Sequence, residues 1–143
     1  MTNTNKPKAL YWIVAVLALI WNGMGVMAYL AQVYMTDADL KILPEGEQAL
    51  YADVPSWVTA AFAIAVFAGV LGSLMLLIKK KWAIPVFILS LITAIVTQAH
   101  HLFMTDAPEV YGSMVYFMPA MVIIIAVFLV MYSRKAASKG WIS

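Results

Sequence analysis

Four long apolar stretches, separated by short polar segments, make up most of this 143-residue chain. Each stretch exceeds the roughly 20 apolar residues with which an α-helix crosses a bilayer. The pattern therefore predicts four transmembrane helices, at about residues 9–35, 54–78, 82–104 and 107–132.

The connections between the stretches predict how the helices are arranged. Only Lys79, Lys80 and Lys81 separate the second stretch from the third, which requires an antiparallel hairpin. We expect an all-α, up-down-up-down four-helix bundle that forms one domain over residues 1–143. In the one long connection, Pro44 and the acids after it predict a short surface helix over residues 44–51. In the fourth stretch, Pro119 predicts a kink.

Charged residues alternate between the two sides that four crossings create. Of the nine bases, all except Lys41 precede the first stretch, separate the second from the third, or follow the fourth. Six of the seven acids lie in the two remaining connections, and Glu109 lies in the first turn of the fourth stretch, on the same side; Asp53 and Asp106 are expected helix caps. Because short loops rich in Lys and Arg stay in the cytoplasm, we expect both ends of the chain there.

The composition narrows the class of protein. Hydrophobic residues make up 64% of the chain and charged residues 11%, which is typical of membrane proteins. The net charge of +2 is too small and dispersed to indicate a nucleic-acid partner. A secretory signal with a cleavage site near Ala28 is an alternative interpretation of the first stretch. That stretch is longer than the roughly 7–15 apolar residues of a signal, so we expect it to be retained.

Small and polar residues form a seam along one face of each of the first three predicted helices. Because polar groups facing acyl chains would lack hydrogen-bond partners, we expect the seams to point into the bundle. Packing surfaces are the favoured interpretation. The alternative is a narrow polar path, which would require an oligomer and would also include Gln98. The seam residues are Asn22, Gly25, Tyr29, Gln32, Gly69, Gly72, Ser90, Thr93, Thr97 and His100.

The candidate chemistry is sparse. No acid or base lies deep in a predicted helix, which disfavours ion-coupled transport. The chain has no cysteine, no nucleophile elbow, no zinc-binding helix motif and no phosphate loop, so we expect neither catalysis nor a cofactor.

The two histidines are the only candidate metal ligands of the imidazole type. Neighbouring positions on a helix point about 100° apart, so His100 and His101 cannot easily hold one ion together. We expect interface histidines that pair with Asp106 or Glu109. The alternative is a soft copper(I) site that would combine these histidines with methionines. The methionines of that alternative site are Met104, Met114 and Met118.

Four short motifs occur in order along the first three stretches: residues 21–25 (WNGMG), 55–58 (PSWV), 69–72 (GVLG) and 81–86 (KWAIPV). Together they resemble an uncharacterised family of small four-span bacterial inner-membrane proteins that is often labelled "sugar transporter". The resemblance covers residues 10–89 and implies an inner-membrane location and transport. Many members carry an acid shortly after the Trp-Asn pair, where this chain has Ala28.

Two functional hypotheses follow. We expect a non-enzymatic bundle in the lipid bilayer that acts through helix–helix contacts, as a homo-oligomer or with an unknown membrane-protein partner. Asn22, Gly25, Gly69 and Gly72 would carry those contacts. The alternative is transport or facilitated permeation of a small polar, sugar-like solute by an oligomer. Its route would be lined by Asn22, Tyr29, Gln32, Thr97 and His100.

Overall fold

The computed structural model describes residues 7–52, 54–105 and 107–143. Within these ranges all regular structure is helical. Lys6, Asp53 and Asp106 contribute to the predicted charge pattern and caps, and they lie outside the described residues. The helices are α1 (Ala9–Val33), α2 (Asp37–Ile42), α3 (Glu45–Ala52), α4 (Ser56–Leu77), α5 (Ala83–Phe103), α6 (Ala107–Tyr111), a 3₁₀ helix (Gly112–Tyr116) and α7 (Phe117–Ser138).

Four helical segments are long and apolar enough to cross a membrane, as the apolar stretches predict. Three of them are α1, α4 and α5, and their ends lie close to the predicted ends. The fourth runs from Ala107 to Ser138 and therefore continues beyond the predicted end at residue 132.

The long connection after α1 contains two short helices. The predicted surface helix is present as α3, and the unpredicted α2 precedes it. At the start of α2, Thr36 and Asp39 form a capping box in which each side chain accepts a hydrogen bond from the other's backbone N–H. The bond from the Thr36 backbone lowers the pKa of Asp39.

The three-lysine turn is a compact helix ending. Lys79 has a positive φ of 58°, and the N–H of Lys80 donates to the carbonyl of Met75 at 2.8 Å. This arrangement is a Schellman-type C-cap that uses lysine where glycine is usual. It reverses the chain within a few residues, so α4 and α5 pack as an antiparallel pair.

The fourth span contains a 3₁₀ segment that ends shortly before Pro119. Gly112 adopts a positive φ of 71°, and the 3₁₀ helix follows from there to Tyr116. Pro119 is buried as the third residue of α7. A proline in the first turn of a helix costs little, because the N–H that it lacks would have no partner in that helix.

The four spans lie side by side in the order α1, α4, α5, α7. One buried cluster joins all of them where the bases gather, which we call the basic end. At this end the segment after α7 folds back, and Ser143 exchanges backbone hydrogen bonds of 3.1 Å with Lys79 and Lys81. The cluster consists of Tyr11, Ala15, Ala18, Leu76, Ala83, Phe87, Leu129, Ala136, Trp141 and Ile142.

Candidate functional site

Two adjoining cavities lie between the acidic connections, which mark what we call the acidic end, and the buried cluster of the basic end. The outer cavity, of about 690 Å³, lies between α3, α6 and the adjoining ends of the four spans. The inner chamber, of about 360 Å³, continues from it toward the buried cluster. Five residues line both spaces: Ala28, Phe62, Thr97, Gln98 and Met118.

The wall of the outer cavity combines apolar side chains with amide, hydroxyl and imidazole groups. Helix α5 supplies half of the polar lining residues because its last two turns face the cavity. Helices α3 and α6 close the rim, where Gly46 lies against Val110. The polar lining residues are Gln32, Tyr51, Thr97, Gln98, His100, His101, Thr105 and Tyr111.

His100 is the most buried of these polar residues, with 8% of its surface exposed. Its ring meets Trp57 of α4 edge to face, with the centroids 5.4 Å apart. That contact holds the imidazole between α4 and α5 while the residue still lines the cavity.

The inner chamber is mostly apolar, and two of its polar side chains, those of Asn22 and Ser90, are hydrogen-bonded to other groups of the protein. Asn22 donates to the carbonyl of Ala18 at 2.9 Å and to the hydroxyl of Ser73 at 3.4 Å. Ser90 donates to the carbonyl of Ala65 at 2.6 Å, which connects α5 to α4. At mid-depth the seam residues Asn22 and Ser90 are therefore hydrogen-bonded within the protein beside the inner chamber, and nearer the acidic end the seam borders the outer cavity.

The basic end is closed by aromatic packing. Tyr11 is fully buried; its hydroxyl donates to the carbonyl of Leu76, and its ring meets Trp141 edge to face at 5.9 Å. Trp141 in turn lies under the ammonium group of Lys139, 5.2 Å from the ring centroid. These contacts seal the space below the inner chamber.

The predicted glycines lie at contacts within the chain. A Cβ at Gly69 would overlap Oδ1 of Asn22, and one at Gly72 would lie 2.7 Å from the ring of Phe87. Gly25 faces Val66 across the same α1–α4 contact. These glycines thus let α4 approach both of its neighbours closely. Because these three glycines already contact other helices of the same chain, an oligomer would have to form through other residues.

The remaining seam residues divide between the cavities and the helix contacts. Gln32, Thr97 and His100 line the outer cavity, whereas the ring of Tyr29 packs edge to face on Phe62 and Phe67 of α4. Thr93 donates to the carbonyl of Leu89 in its own helix and lines neither cavity.

The histidines and two of the methionines named for a soft metal site line the outer cavity: His100, His101, Met114 and Met118. Met104 is 68% exposed and is not among the lining residues. Within residues 7–52, 54–105 and 107–143, no three His, Cys, Asp or Glu side chains converge as metal ligands would. Asp106, one expected partner of the histidines, lies outside the described residues.

Three of the polar residues that line the outer cavity were not candidates in the sequence: Tyr51, Thr105 and Tyr111. They lie at or beyond the ends of the spans, where a polar or aromatic residue normally indicates the membrane interface. Only the folding of α3 and α6 over the ends of the spans brings them to the cavity.

Comparisons of this chain with protein-family models, with curated proteins and with solved structures find no match. The resemblance to the four-span inner-membrane family therefore stays a prediction. The candidate function rests on the geometry of the cavities.

Proposed function

We propose that this protein is a multi-pass protein of a bacterial inner membrane, with its four spans in an up-down-up-down bundle and both ends in the cytoplasm. The support is the match between the four long apolar helices and the alternation of charge along the chain. The basic end would face the anionic cytoplasmic leaflet.

Reporter fusions test this topology. Green fluorescent protein joined after Ser143 should fluoresce, and alkaline phosphatase inserted after Lys41 should be active, because the first folds in the cytoplasm and the second requires the periplasm. The controls are alkaline phosphatase joined after Ser143, which should be inactive, and green fluorescent protein inserted after Lys41, which should not fluoresce. The opposite pattern would contradict the proposed orientation.

We further propose that the bundle binds a small, uncharged polar molecule in the outer cavity. The observation that carries this proposal is the asymmetry of the packing: the basic end is sealed by buried aromatic residues, whereas the acidic end encloses about 690 Å³. A space of this size is in the range of pockets that hold small ligands.

The lining supports an uncharged ligand. Among the described residues, no Lys or Arg lines the outer cavity, so no permanently charged cation is placed to bind an anion there. Its amides and hydroxyls are the groups that hydrogen-bond to neutral polar molecules. An uncharged polar ligand agrees with the sugar-like solute of the alternative hypothesis. Passage across the membrane would further require the Tyr11–Trp141 contact to open.

Removal of one polar group from the wall tests the binding proposal. Gln98→Leu should weaken binding of glucose or glycerol about five- to tenfold, because a neutral hydrogen bond contributes about 1 kcal/mol. Binding is measured by calorimetry on the full chain in nanodiscs.

The matched control comes from the same helix. Thr93→Val removes a hydroxyl that faces neither cavity, so it should leave the affinity unchanged. Equal losses in both variants would indicate a general disturbance of α5. If glucose, glycerol and a wider panel of monosaccharides and polyols all fail to bind the unmodified chain, the proposed function is wrong.

A further inference from the structure

We propose that the natural ligand is a single-chain amphiphile with an uncharged polar head. The head occupies the outer cavity and the apolar chain occupies the inner chamber. This inference rests on the proposed function, because it takes the outer cavity to be the site of the polar head.

The first argument is continuity. The two spaces share lining residues from all four spans, including Phe62 of α4 and Met118 of α7, so they adjoin at one level of the molecule. A ligand that fills only the outer cavity would leave an apolar space open directly beneath it.

The second argument is the chemistry of the inner chamber. The side chains of Asn22 and Ser90 already hydrogen-bond within the protein, and Val122, Ile125 and Leu129 form an apolar wall opposite them. A space lined in this way favours an apolar occupant over water. At 360 Å³ it holds roughly a dozen groups of the size of a water molecule or a methylene.

The third argument is access from the bilayer. Helices α1 and α7 form two walls of the inner chamber, yet within the described parts of the chain they are not close neighbours as α1 and α4 or α5 and α7 are. They meet at the basic end, where the rings of Tyr11 and Tyr132 stack with centroids 6.3 Å apart. Above that contact, the proposed ligand would enter sideways from the lipid between α1 and α7.

The fourth argument is charge. Glu47 lies beside Tyr111 at the rim of the outer cavity, and no described Lys or Arg lines either cavity. An anionic head, such as that of a fatty acid, would therefore meet the negative charge of Glu47 without a Lys or Arg to compensate it. A glycerol- or sugar-like head fits the amides and hydroxyls.

The chamber contains its own reporter, because Trp21 lines it. The full chain is placed in nanodiscs of saturated phosphatidylcholine and titrated with monoacylglycerol that carries bromine near the end of its chain. Bromine quenches tryptophan on contact. We expect quenching to be at least fivefold stronger than with brominated phosphatidylcholine at the same mole fraction, and Trp21→Phe should remove this excess.

Two neighbouring positions on α7 allow a matched comparison, because Ala126 lines the inner chamber and Val127 lines neither cavity. Ala126→Phe fills the chamber and should abolish the excess quenching, whereas Val127→Phe, at a position outside both cavities, should retain it. Val122→Phe fills the same chamber from another position and replaces Ala126→Phe if that variant does not fold. A brominated fatty acid at alkaline pH should give less than one fifth of the monoacylglycerol signal.

The outcomes distinguish the two proposals. If glucose or glycerol binds the outer cavity but no excess quenching occurs, the amphiphile inference is overturned and the proposed function stands. If neither probe binds, both fail. If Ala126→Phe changes the oligomeric state and leaves the quenching unaltered, a helix of a second copy occupies the chamber, and the inference is again overturned.

Discussion

Replacing Gly69 with leucine should destabilise the folded chain by about 3 kcal/mol, at the upper end of the usual cost of overpacking. Even a single Cβ at this position overlaps Oδ1 of Asn22. The Asn22 amide cannot simply turn away, since it is held by hydrogen bonds to Ala18 and Ser73. The free energy of unfolding is measured by denaturant titration in mixed micelles.

Gly23 provides the matched control for this change. It lies on the same helix as Asn22, but a Cβ at Gly23 meets nothing within 4 Å. Gly23→Leu should therefore leave stability unchanged or raise it slightly, because leucine is a better helix former than glycine. The double variant Asn22→Ala with Gly69→Ala should recover much of the loss caused by Gly69→Ala alone. Equal destabilisation by the two leucine variants would contradict the α1–α4 contact described above.

Trp141→Ala should have the second large effect, a loss of about 3 kcal/mol, which is typical of removing a buried aromatic side chain. Only 7% of Trp141 is exposed, and its ring packs on Tyr11 at the closed basic end. Removal of the Trp141 side chain should also open the basic end to water. Because the chain has no cysteine, a single Ala15→Cys reporter can detect the opening. Its reaction with a membrane-impermeant maleimide from the basic side should rise at least tenfold.

Trp82 provides the control, since it lies at the same end with 70% of its surface exposed. Trp82→Ala should change stability by no more than about 0.5 kcal/mol and should not alter the labelling of Ala15→Cys. If the labelling is equally slow with and without the Trp141 side chain, then Trp141 does not seal the basic end.

The sequence predicts the helices well because their signal is local. A bilayer-length apolar run needs no tertiary partner to be recognised, and the ends of α1, α4 and α5 follow from where polar residues resume. Helix α2 was missed, although Thr36 and Asp39 form its capping box. The kink at Pro119 stays a prediction, and the sequence did not indicate the 3₁₀ helix that precedes it from Gly112, where φ is positive.

The sequence predicts the candidate site only in part. The step of three or four residues brings Asn22 and Gln32 to one face of α1, but that periodicity is the same for a packing residue and a cavity residue. Gln32 lines the outer cavity, whereas Asn22, at the edge of the inner chamber, also fills the space that Gly69 leaves open. Which role each residue takes depends on the distance to the next helix, and no single-helix pattern contains that distance.

By itself, the sequence determined that this chain has four long apolar helices and a charge pattern that alternates between their ends, because hydropathy and charge are properties of each segment alone. The tertiary structure decided that the basic end is closed by Tyr11 and Trp141 and that the acidic end is hollow. The physical reason is that a cavity depends on side chains from several helices failing to fill the space between them. That depends on how closely Gly69 and Gly72 let those helices approach.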